Sequence, residues 1–105
     1  MIIKTSKGDL PIKYGFNALS KFGDLSGLSM NDVMKLDLTK MKLSDLLAFI
    51  YVGFLFGAKA EGKECELKGV EDVGDLIDEE GPELITKVMD AFSEMAPKGE
   101  GDKKK

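Results

Sequence analysis

Residues 42–62 read KLSDLLAFIYVGFLFGAKAEG, and the thirteen positions from Leu46 to Ala58 carry no charged or strongly polar side chain. A run of that kind is a helix rather than a strand, because strands seldom exceed eight residues. It also falls short of the roughly 20 apolar residues needed to cross a bilayer, so the reading is a buried helix and no membrane partner. At about 100° per residue, Leu43, Leu46, Leu47, Ile50 and Phe54 form one stripe, while Phe49, Val52 and Phe56 fall nearly opposite. The helix is therefore apolar on two faces. Either it sits centrally with neighbours on both sides, or one face is left for a partner. Gly53 and Gly57 make a GxxxG, which in water reads as a site of close helix approach.

The flanking sequence supplies the neighbours. From Ile2 to Tyr14, β-branched residues precede Ser6-Lys7-Gly8-Asp9, after which Leu10, Ile12 and Tyr14 alternate with Pro11 and Lys13, the pattern of a β-hairpin. Pro11 cannot donate to a ladder, so its strand is an edge and needs a cover from the helices. Phe16, Ala18, Leu19, Phe22 and Leu25 recur at helical spacing and Gly27 follows as a terminator, predicting a short amphipathic helix. Ser29 with Asp32 three positions on resembles a capping box and predicts another turn or two. Gly62 and Gly69 bracket a polar connector that reads as a short second hairpin. VEDVGDLIDEE then places Val70, Val73 and Ile77 on one side of a brief acidic helix that Gly81 ends. Pro82 suits the first turn of the next helix, on which Leu84, Ile85, Val88, Met89, Phe92 and Met95 form an apolar face. The expectation is an α+β, mainly α chain: an N-terminal hairpin, then four or five helices, the longest central and hydrophobic. One domain covers residues 1–97, and residues 98–105, KGEGDKKK, read as a disordered lysine-rich tail.

Composition narrows the chemistry. The 105 residues contain no histidine, arginine or tryptophan, and the formal net charge is −4. Without histidine, Ser-His and Cys-His catalysis and most zinc sites are removed. Without arginine there is no planar fork for phosphate or guanine, and a net negative chain repels a polyanion, so nucleic acid is not an expected partner. Neither GxGxxG nor GxxxxGK[ST] occurs. Asp72, Asp75, Asp78, Glu79, Glu80 and Glu83 lack the alternate-position spacing of an EF-hand loop and read as a solvated acidic face, with no metal. Cys65 is the lone cysteine, which fits a reducing compartment or indifference to redox. The first residues, MIIKTSKGD, show no apolar leader, which together suggests a cytoplasmic protein without enzymatic activity or cofactor.

Binding remains, and its raw material is adaptable apolar surface. Met30, Met34 and Met41 precede the long helix, and methionine fits irregular partners. The candidate partner-binding patch is Met34, Met41, Phe49, Val52 and Phe56, where the surplus face of the long helix meets these methionines.

The stretches IIKTSKGDLPIKYGFNAL, LSDLLAFIYVGFLFGA and VEDVGDLIDEEGPELITKVMDAF together resemble the small tail assembly chaperones of long-tailed bacteriophages, over nearly the whole chain up to Pro97. That resemblance implies a non-enzymatic protein that covers the tape measure protein before tail tube polymerisation. It implies location in the host cytoplasm, absence from the mature virion, and the tape measure protein as partner with the tail tube protein second. A homo-oligomer stays open. The terminal Lys103, Lys104 and Lys105 resemble the product of an adenine-rich frameshift site, and plain solubility explains them equally well. A tail completion or minor tail protein retained in the virion, and a small host-directed adaptor, are the alternative readings.

Overall fold

The computed structural model describes residues 2–35 and 40–95. Its elements run β1 (Ile2–Thr5), β2 (Gly8–Pro11), α1 (Phe16–Ser26), α2 (Met30–Met34), α3 (Leu43–Ala60), α4 (Val70–Glu80) and α5 (Glu83–Met95). The class is α+β, mainly α, as the sequence predicts. The expected tail over residues 98–105 lies outside the described residues.

The two strands pair antiparallel with Ile3 opposite Leu10 and Lys4 opposite Asp9. A two-residue loop, Ser6-Lys7, joins them, and Gly8 takes a φ of 106° that only glycine adopts without strain. Ile3 and Leu10 are buried on the inner face, and Ile12 and Tyr14 continue that face beyond the ladder. The hairpin pairing thus ends at Pro11, three residues earlier than the alternation suggests, because residues 12–14 find a different partner. They lie along α3, where the Lys13 N–H donates to the Gly53 carbonyl at 3.0 Å.

The role of GxxxG follows from that contact, and it differs from the expectation. Among the described residues, the nearest neighbours of Gly53 and Gly57 belong to the segment 11–14 and not to a helix. A β-carbon at Gly53 would strike the Tyr14 ring, and one at Gly57 would strike the backbone of Pro11 and Ile12. The small residues admit an extended segment instead.

α1 closes with Gly27 in the left-handed region, its N–H donating to the Gly23 carbonyl. Ser29 caps α2 by accepting the Asp32 N–H at 3.2 Å, half of a capping box. α3 packs against α1, α4 and β2, and nine of its eighteen residues are buried. By length and composition it could cross a membrane, but here it is wrapped as a core helix. Residues 61–69 hold no strand, so the second hairpin is not formed. Leu67 from that connector is nevertheless buried and plugs the core. On α4 the inward residues are Val73 and Leu76, with Ile77 half-buried and Val70 exposed, a stripe turned from the expected one. The backbone sets this: Gly69 begins the helix, so Val70 lies in its first turn and is left exposed.

The acidic end of α4 has a structural task. Glu79 and Glu80 sit at a helix C-terminus, where the dipole disfavours carboxylates. The hairpin tip compensates them: the Ser6 N–H donates to Glu80 Oε2 at 2.7 Å and the Ser6 hydroxyl to Glu79 Oε1 at 2.9 Å. The Ser6 N–H, the largest effect, holds the Glu80 carboxyl below the usual glutamate range. A lowered folded value means the latch is fully present above the ordinary glutamate value and is lost as pH falls through the lowered one. The Ser6 amide resonance, followed by NMR, should therefore shift with a midpoint below that of a free glutamate, and Glu80→Gln should remove the step. A midpoint at or above the ordinary value would contradict the latch.

Candidate functional site

Phe49 and Val52, expected on a partner-facing side of α3, are fully buried. This corrects the expectation for both. Phe49 is the centre of an aromatic cluster: Tyr14 stacks on it at 4.6 Å between ring centroids, and Phe22 and Phe92 meet it edge-on at 5.3 and 4.9 Å. Tyr14 also donates its hydroxyl to the Phe49 carbonyl at 2.7 Å, which satisfies the one polar atom brought into the cluster. Burial pushes the Tyr14 phenol well above its ordinary value, so it stays a neutral donor. The physical reason for the correction is that α1 and the Tyr14 segment cover one side of α3 while α4 covers another. The two apolar faces are thus both occupied at mid-helix.

Of the remaining members, Met41 precedes the start of α3 and Phe56 lies near its other end. Met41 and Phe56 are half-buried against the core, with the Lys59 ammonium 5.4 Å above the Phe56 ring. Met34 ends α2, and its side chain lies outside the described residues, as does that of Met30. Among the described side chains of the patch, Phe49 and Val52 are enclosed in the core, so Met41, Phe49, Val52 and Phe56 do not form one surface.

Apolar surface is instead left at the two ends of α3. At its C-terminal end, Phe16, 62% exposed, lies beside Phe56 with Lys13 and Lys59 around them. At its N-terminal end, Leu43, 68% exposed, opens a groove shared by three helices. Leu47 of α3, Ile77 of α4 and Ile85 of α5 complete its apolar floor. Glu71, Asp75 and Asp78 rise along one side, spaced so that successive turns of α4 present a carboxylate. Gly74 sits between them and a β-carbon there would meet nothing, so the floor is open at that point. Gly74→Ala should consequently stabilise the fold by about 0.5–1 kcal/mol, read as a higher urea midpoint, because helix propensity improves with no steric cost.

Sequence reasoning overlooked this groove for an identifiable reason. Periodicity puts Leu43 and Leu47 on one apolar stripe of α3 and Ile85 on the apolar face of α5, and Asp75 and Asp78 read as part of a solvated face. The signal that could have found it is the run of carboxylates at 71, 75 and 78 flanking a glycine, next to a helix that begins on an uncovered leucine.

Among the described residues no group of histidine, cysteine, aspartate or glutamate side chains could hold a metal ion, and none of the buried side chains is polar apart from Tyr14. Cys65 is half-buried in a small cleft between the hairpin and the connector, and burial, the largest effect, pushes its thiol above the ordinary value. That is opposite to the activation a nucleophilic cysteine needs. No known protein family, characterised protein or solved structure matches this chain.

Proposed function

We propose that this protein is a non-enzymatic assembly chaperone that covers an apolar helical stretch of a phage tape measure protein until tail tube subunits replace it. What supports the reading is the sequence resemblance over most of the chain together with one structural observation, the open aliphatic groove of Leu43, Leu47, Ile77 and Ile85 on a chain whose mid-helix core is otherwise closed. A long helical polypeptide with exposed apolar stripes aggregates unless those stripes are covered, and a groove between helices is a recurrent seat for such a stripe. The contact must be reversible, which suits a modest apolar area without buried charge pairs. Host cytoplasm and absence from the mature virion belong to the same reading.

Co-expression with the tape measure protein of the same phage tests it. The long chain should stay soluble and co-purify. Leu43→Asp, at a position already exposed to solvent, should leave this protein folded by circular dichroism yet return the tape measure protein to the insoluble fraction. If the long chain is equally insoluble with and without the wild-type partner, the chaperone reading fails.

A further inference from the structure

From the chemistry of the groove we infer that its occupant is an amphipathic helix whose apolar stripe is flanked by lysine or arginine. The inference names the partner chemistry of the groove invoked above and shares that site, but it stands on the groove's own charge distribution. The floor is aliphatic, supplied by Leu43 and Leu47 from α3, Ile77 from α4 and Ile85 from α5. Such a floor, open between helices, suits the side chains of a helix spaced at i, i+3, i+4 and i+7. The rim supplies Glu71, Asp75 and Asp78, and none of the side chains lining the groove is cationic. Carboxylates along one wall favour cations on the edge of whatever lies inside and repel anions, so they select the partner's flanks as the floor selects its stripe.

Two other occupants fit less well. Residues 98–105 carry lysines but no apolar side chain, so they answer the rim and leave the floor empty. A second copy seated symmetrically on the groove would present the same lining, which carries carboxylates and no lysine, so it brings no cation to answer the rim.

The probe is a synthetic, fluorescein-labelled helix of about 18 residues, long enough to be helical when docked, with leucine at the stripe positions and lysine elsewhere. A second peptide keeps the leucines and replaces every lysine with glutamate. Fluorescence anisotropy against the full chain should show the lysine peptide binding at least about tenfold more tightly than the glutamate one, with the difference shrinking at high salt. Leu43→Asn should weaken the lysine peptide by a similar factor. The double variant Asp75→Asn, Asp78→Asn should also weaken it about tenfold, whereas Glu61→Gln, Glu64→Gln, which removes equal charge elsewhere on the surface, should change affinity by less than about twofold. Equal losses from the two double variants would mean attraction to general acidity and overturn the inference. So would equal binding of the two peptides, no binding of either, or full binding to Leu43→Asn. Sedimentation of the chain alone supplies the last check: self-association abolished by Leu43→Asn would assign the groove to a second copy. Because the probe contains no tape measure sequence, a positive result with failed co-expression would keep the groove's chemistry and discard the phage partner.

Discussion

Replacing Phe49 with alanine is expected to remove about 3–5 kcal/mol of stability, the range for deleting a fully buried phenylalanine ring. A chain of this size has about 5–15 kcal/mol in total, so one substitution takes a large share. The reason lies in the number of elements that meet on the ring. Tyr14 comes from the segment after the hairpin, Phe22 from α1 and Phe92 from α5, and each is within 4.6 to 5.3 Å of the Phe49 ring centroid. Each such aromatic pair contributes about 0.5–1.5 kcal/mol beyond the area it buries. The cavity left behind cannot collapse easily, since its walls belong to elements tied to one another by other contacts. Phe49→Asp should go further and leave no cooperative transition, because the cluster offers a carboxylate no donor that is not already used. Urea titration followed by far-UV circular dichroism measures both. Phe56→Ala serves as the comparison and should cost less than about 2 kcal/mol, since that ring is only half-buried. If Phe49→Ala and Phe56→Ala prove equally mild, Phe49 is not the hub.

Phe49 also shows where sequence reading reaches its limit. Periodicity places Phe49, Val52 and Phe56 on one side of α3 correctly, but it cannot say whether that side is covered, because the cover comes from Tyr14 and Phe92, 35 and 43 positions away. The same limit works in reverse at Phe16, Leu25 and Leu43. Each fits an inward stripe by spacing, and each stands at or next to a helix end and is left largely exposed. What local chemistry decides was legible: the turn at Gly8, the Gly27 terminator, the Ser29 cap and the break at Gly81 all occur where their residues predict. The connector was misread because Leu67 is its single buried residue, and one apolar position carries no period. The groove is a meeting of three helices, so no single segment announces it.

Gly57→Ala is expected to destabilise by about 3 kcal/mol or more, at the upper end for forced overpacking. In an isolated helix the same change would favour folding by about 1 kcal/mol, so the sign is set by tertiary contact alone. A methyl group at position 57 would overlap the carbonyl of Pro11 and the amide nitrogen of Ile12. Those are backbone atoms, and they cannot rotate away as a side-chain tip would. Nor can the segment simply lift, because the Lys13 N–H is bonded to the Gly53 carbonyl one turn earlier and the Tyr14 hydroxyl to the Phe49 carbonyl a turn before that. Raising the strand to admit the methyl would lengthen both bonds and separate the stacked rings of Tyr14 and Phe49. Gly74→Ala is the internal control: the residue change is the same, both positions are helical, and open space surrounds the second. The two midpoints should move in opposite directions from wild type. Movement in the same direction would mean that the extended segment does not lie in the Gly53–Gly57 notch, and the packing of the hairpin on α3 would have to be redrawn.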